Sequence, residues 1–125
     1  MEPIKVTAET VLKTLREVVA ERPEHVYESP DNAPKSNVSC YYVHGYADGV
    51  QVPGCVVGHV LNRLGVPLSE LRLHEGESAY TLVGKLLRVL DPEDQYEVEA
   101  VLSEVQYNQD GGQPWGRALE IATRE

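Results

Sequence analysis

No phenylalanine occurs anywhere in this chain. A core must therefore be built mostly from valine, leucine and the seven tyrosines. Basic charge is scarce as well: 11 Lys and Arg stand against 20 Asp and Glu, for a net charge of −9. Affinity for nucleic acid rests on neutralising phosphates, and without a basic footprint no such binding is expected. Acidity favours solubility or a basic partner. The apolar runs are far too short for a bilayer, so neither a signal peptide nor a membrane span is expected. Cysteine occurs only twice. In a chain with no export signal, two cysteines read as reduced thiols. A Cys40–Cys55 disulfide is a lesser alternative. No internal repeat is evident.

What is present is ordinary in amount. At 125 residues, with 42% hydrophobic and 25% charged side chains, the chain reads as one domain over 1–125 with a real core. Both cysteines and two of the four histidines fall in one stretch, Cys40 to Gly65. Asp48-Gly49 is a hairpin signal, since both turn positions tolerate φ > 0. Val38 to Tyr46 before it and Val50 to Val52 after it predict a two-stranded ribbon. Pro53-Gly54 breaks the strand, and Pro suits a helix's first turn. That helix runs to Leu64, with Gly65 at the left-handed position beyond its end.

At about 100° per residue the helix has two unlike sides. Val57, Val60, Leu61 and Leu64 form a core stripe. Cys55, His59 and Asn62 lie opposite, within about 60° of one another. Gly58 beside them would let another backbone come close.

Three readings compete for Cys55 and His59. The plainest packs them under the hairpin, with the thiol as a small buried hydrophobe and the ring bonded to backbone. A second is a metal site on Cys40, His44, Cys55 and His59, since thiolate and imidazole suit zinc. Spacing argues against it: Cys40 and His44 on an extended strand lie about 13 Å apart, and no Cys-x-x-Cys is present. No metal or cofactor is expected. The third is a thiol nucleophile, with Cys55 activated in the first helical turn. His44 or His59 would be the base, oriented by Asp110 or Asn62. Cys55, His59 and Asp110 are then the catalytic candidates, although such pairings are spatial and not set by spacing.

Elsewhere the pattern is helical. Thr7 caps a helix whose Ala8, Val11, Leu12, Leu15, Val18 and Val19 share one face, ending near Arg22 before Pro23. Residues 23–37 form a proline-rich loop that His25 and Tyr27 anchor. Pro67 or Ser69 opens a short turn of helix, and His74 is expected to be exposed. Ser78 or Glu77 starts a helix carrying Ala79, Leu82, Val83, Leu86 and Leu90. Asp91-Pro92-Glu93-Asp94 starts another, running to about Gln109. Its core stripe is Val98, Val101, Leu102 and Val105. Tyr96, Ala100 and Tyr107 lie opposite. Asp110-Gly111-Gly112 ends it, and Pro114 opens a last helix with Trp115, Ala118, Leu119 and Ala122 inward. Asp110 is expected to cap that helix, or to bond a ring nitrogen of His59.

The succession Cys40-Tyr41-Tyr42, Asp48-Gly49, Pro53-Gly54-Cys55-Val56-Val57-Gly58-His59-Val60-Leu61, Gly65 and Gln106-x-x-Gln109-Asp110-x-Gly112-x-x-Trp115-Gly116 resembles a family of small proteins of actinobacteria and their bacteriophages. The resemblance spans Cys40 to Gly116. It implies a cytoplasmic protein, a phage accessory factor acting on a host component, and it carries over no catalytic roles.

The expected fold is mainly α: four to five helices with one small β-hairpin in a single compact domain. The expected function is a non-enzymatic interaction or ligand-binding protein, with a host protein as partner and with neither nucleic acid nor membrane. Its recognition surface would comprise Tyr42, His44, Cys55, His59, Gln109, Asp110 and Trp115. A thiol-dependent enzyme using Cys55, and a structural zinc module, are the alternatives.

Overall fold

The computed structural model describes residues 1–29, 40–45 and 50–124. Strand β1 (Ile4–Val6) leads into α1 (Ala8–Glu21), and a short ribbon follows, β2 (Val43–His44) with β3 (Val52–Pro53). Then come α2 (Val56–Arg63), α3 (Leu68–Arg72), α4 (Ala79–Leu86), β4 (Leu87–Val89), a 3-10 turn (Pro92–Asp94), α5 (Gln95–Asp110) and α6 (Trp115–Thr123). The described residues thus hold six helices, where four to five were expected. No helix among them is long and apolar enough to cross a membrane.

Local chemistry sets the starts of α1, α4 and the 3-10 turn. The Thr7 hydroxyl accepts from the Thr10 N–H at 3.1 Å and the Ser78 hydroxyl from Thr81 N–H at 3.2 Å. An Asp91 carboxylate oxygen accepts from Glu93 N–H at 3.1 Å, and Pro92 follows it. The first turn after Asp91 is the tighter 3-10 form, so the α-helix proper begins at Gln95. At the end of α2, Gly65 has φ +113°, in the left-handed region glycine favours. Val66 N–H returns to the Leu61 carbonyl at 3.0 Å, and Asn62 Nδ2 donates to Val66 O.

Two features depart from expectation. β1 pairs with β4 in parallel, Ile4 against Leu87 and Val6 against Val89. Sequence reasoning treats the first segment as a lead-in and continues the α4 helix to Leu90. In the structure that helix stops at Leu86, and Leu90 is exposed. Gln95 explains how so short a strand holds: its Oε1 accepts from Val89 N–H at 2.7 Å and its Nε2 donates to the Leu87 carbonyl. A side-chain amide thus takes the place of a further strand.

The ribbon forms antiparallel, Val43 against Pro53 and His44 against Val52. Pro53 lies in the strand, not in the helix. The expected Asp48-Gly49 turn lies outside the described residues, as do 30–37 of the proline-rich loop. Its described part, 23–29, runs across the start of α6. Pro23 and His25 carbonyls accept from Gly116 and Trp115 N–H at 2.7 and 2.9 Å. Asp110 therefore does not cap the last helix; two loop carbonyls do.

The core is one cluster with α2 at its centre. Val56, Val57, Val60 and Leu61 are fully buried, and so is Cys55 just before them. Each such aliphatic side chain contributes about 1.5–3 kcal/mol relative to exposure. The helix is covered by α1, α5 and the ribbon, so the sequence's two-sided helix is enclosed on both sides.

Candidate functional site

The start of α2 sets the geometry. Its N-cap is Cys55, whose side chain makes no capping bond. The first N–H groups of a buried helix need acceptors, and here they come from α5. Gln109 Oε1 accepts from Val56 N–H at 2.9 Å, and Gln106 Oε1 accepts from Val57 N–H at 3.2 Å. Both glutamines are buried. Gln109 Oε1 also accepts from Trp115 Nε1 at 3.2 Å, and its Nε2 donates to Asp110 at 2.8 Å. Gln109 is thus the hinge pin between two polar groups on opposite flanks of α2.

On one flank lie the thiols. Cys40 and Cys55 are free and buried. Gln106 Nε2 donates to Cys40 Sγ, and Asp110 lines the same cleft as that thiol. The neighbouring Cys55 thiol, and then burial, push the Cys40 thiol far above its usual range. Burial likewise raises the Asp110 carboxyl. Cys40 opens on a cleft of about 320 Å³ shared with Tyr42, Glu77, Ser78, Gln106 and Asp110.

On the other flank lie the imidazoles. Arg22, His25, His44 and His59 wall a cleft of about 620 Å³, with Glu28, Val52 and Pro53 at its rim. Trp115 lies buried behind three of these side chains. The rings of His25 and His59 meet the indole edge to face at 4.7 and 5.4 Å, and the Arg22 guanidinium stands 4.9 Å from its centre. Arg22 donates to His59 Nε2 at 3.2 Å; a guanidinium has no acceptor, so this ring carries its proton on Nδ1. Tyr27 Oη accepts from Tyr41 N–H at 2.7 Å and shares a hydrogen bond with His44 Nε2 at 2.8 Å. Gly54 makes room for that ring: a Cβ there would collide with His44 and with the Tyr41 carbonyl.

These imidazoles are held neutral. Burial, and next the Arg22 charge, push His59 down to about 4. Burial lowers His25 and His44 as well. The sign of the linkage follows. An unfolded His59 takes up a proton near pH 6.5, whereas the folded ring takes one only near 4. Stability is full above pH 6.5 and falls as pH drops toward 4. Its share is about 1 kcal/mol once solvent screening of a half-exposed ring is allowed for. Urea unfolding of the native chain and of His59→Gln at pH 7.5 and at pH 4.5 checks this. The stability lost between the two pH values should be smaller in the variant.

The sequence-derived surface therefore divides. His44 and His59 line the histidine cleft above Trp115. Tyr42, Cys55, Gln109 and Trp115 are at most 1% exposed, so they support the clefts from beneath and do not form a surface. The structure does not bring Cys55 to an imidazole: its thiol faces Cys40, while His59 faces Arg22 and Trp115. Asp110 accepts from Gln109 Nε2, not from His59. Asn62 turns away to Val66. The proposed zinc set likewise separates, with the two cysteines on one flank and the two histidines on the other. Among the described residues no group of three or more His, Cys, Asp or Glu is placed to hold a metal ion.

Sequence reasoning set Gln106 in a polar corner with Gln109 and Asp110, read His25 and Tyr27 only as loop anchors, and missed Arg22. It also expected an exposed His74. That side chain is 15% exposed, between Glu77 at 2.8 Å and Glu70 at 3.1 Å. No family model matches the chain, and neither a curated protein nor a solved structure matches it.

Proposed function

We propose that this is a non-enzymatic, cytoplasmic binding protein whose partner docks in the histidine-walled cleft. The observation that carries the reading is the cleft itself, about 620 Å³ beside a buried indole, with His59 and His44 held by hydrogen bonds and an Arg22 guanidinium that has further donors. Such a surface is pre-organised: its polar groups already hold their orientation, so binding loses little side-chain entropy. It offers Arg22 to carbonyl or carboxylate acceptors, beside an apolar rim of Val52 and Pro53. A segment of a protein partner bearing both kinds of group fits that chemistry. The resemblance to small proteins of actinobacteria and their bacteriophages supports a host protein as that partner.

A thiol-dependent enzyme receives less support, because Cys55 is fully buried and has no imidazole at its sulfur. The test is capture from a host lysate with native protein and with Arg22→Glu, an exposed substitution. Reversing this charge should reduce retention of a specific partner at least tenfold while the chain stays folded, its melting temperature falling by only a few degrees for the lost His59 and Trp115 contacts, roughly 1 kcal/mol. Equal retention by both would place recognition elsewhere.

A further inference from the structure

A third surface lies on α5, opposite the buried side of Val98, Leu102 and Val105. Tyr96, Ala100, Ser103 and Tyr107 follow the i, i+4, i+7, i+11 spacing, so they form one stripe about 16 Å long. Its two end residues, Tyr96 and Tyr107, are 69% and 77% exposed. The ring of Tyr80, from α4, meets Tyr96 edge to face at 6.4 Å and widens that end of the stripe. Ala100 and Ser103 are small, so the surface dips between its tyrosines.

The charge around the stripe is of one sign. From Asp91 to Asp110 the chain carries seven Asp and Glu and no Lys, Arg or His. On the helical wheel Glu97 and Glu104 flank the tyrosines on one side, Glu99 and Asp110 on the other. Among the described residues none of these four carboxylates is in an ion pair. Asp110 is the last residue of α5, and the last turn holds no basic residue. The negative end of a helix dipole favours a cation, so a carboxylate there is locally unfavourable. Beside it opens the cleft of about 320 Å³, with Tyr107 and Asp110 on its wall.

We infer that this face of α5 docks a basic segment of a partner protein, whose Arg or Lys side chains lie over Tyr96 and Tyr107 and reach Asp110 in the cleft. Charge complementarity selects that occupant. A second copy of this chain on the same stripe would set its glutamates against their own counterparts, and like charges repel. A cation over a tyrosine face is attracted by the ring's quadrupole, and exposed tyrosines are frequent interface anchors. The same cation supplies the counter-charge that the end of α5 lacks. The small residues between the tyrosines leave room for the partner's backbone. This surface is separate from the histidine cleft and does not rest on the function proposed above.

The experiment uses the full chain and a fluorescein-labelled peptide of repeated Leu-Arg-Arg-Leu units, with a counterpart in which every Arg is Glu. Fluorescence anisotropy should show saturable binding of the basic peptide, weaker as salt rises, and no binding of the acidic one. Tyr96→Ser with Tyr107→Ser leaves the charge unchanged and should weaken binding at least about fivefold. Glu97→Gln with Glu104→Gln should weaken it similarly and flatten its salt dependence. All four side chains are exposed, so circular dichroism should find both variants folded. Should one fail to fold, the other decides. Arg22→Gln, in the histidine cleft, should bind the peptide as the native chain does, which separates this surface from that one. Equal binding by the native chain and the tyrosine variant would mean diffuse attraction to an acidic surface and would overturn the assignment. So would no binding of the basic peptide, or a dimer in sedimentation velocity that the tyrosine variant dissociates.

Discussion

Gly58→Ala should unfold this protein at a temperature at least 10 °C below the native chain. Helix propensity predicts the reverse, because alanine is better than glycine in a helix interior by about 1 kcal/mol. The surroundings of Gly58 decide the sign. A Cβ at that position would overlap the Tyr42 carbonyl oxygen and stand 3.1 Å from Tyr42 C and Cα. Those are backbone atoms with no side-chain freedom to yield. The same carbonyl accepts from Gly54 N–H at 2.9 Å, and Tyr42 N–H is held by the Glu75 carboxylate at 2.7 Å. To admit one methyl, the ribbon must lift off α2 and lose these bonds. The cost is about 3–5 kcal/mol, well above the propensity gain. Thermal unfolding followed by circular dichroism measures it. An unchanged or raised midpoint would show that the ribbon is not seated on α2.

Gln109→Leu should be nearly as damaging, although it replaces a polar side chain in a buried place with an apolar one of similar size. Two N–H groups, from Val56 and Trp115, would lose their shared acceptor in a site that water does not reach. Each costs about 1–3 kcal/mol when left unpaired. The expected loss is about 3 kcal/mol, with a lower urea midpoint. Emission from Trp115, the sole tryptophan, should also shift as the indole loses its partner. Tyr107→Leu on the same helix is the control, since Tyr107 is 77% exposed. It should change stability by less than about 0.5 kcal/mol. Equal effects from the two substitutions would refute the bridging role of Gln109.

These two residues also mark what the sequence could and could not convey. Gly58 was legible, because a glycine inside an otherwise apolar helix suggests close approach of another chain segment, and Tyr42 is that segment. The starts at Thr7, Ser78 and Asp91 were legible for the same local reason: donor and acceptor lie within three residues. β1 and β4 were not, because three-residue strands carry no readable alternation and their pairing is distant in sequence. The role of Gln106 and Gln109 was only half visible. They continue the buried stripe of Val98, Leu102 and Val105, where an amide is out of place unless something needs it. Cys55 at the start of α2 offers no capping oxygen, and that was the other half of the clue. Joining the two required the packing of α5 on α2. The separation of thiols from imidazoles had the same cause. A helical wheel puts Cys55 and His59 on one side, but it cannot tell that Trp115 and Gln109 come between the clusters they join.

The bonds that close the first turn of α2 span 53 and 49 residues of chain. A ribosome delivers α2 long before it delivers the amides that complete it. Until α5 emerges, the nascent segment carries bare donors and an uncovered valine-rich flank, so this molecule has little to gain from folding piecemeal. Its commitment to the native state waits on the synthesis of α5, and a pause in translation ahead of Gln106 would leave exposed the very surface that later becomes its centre.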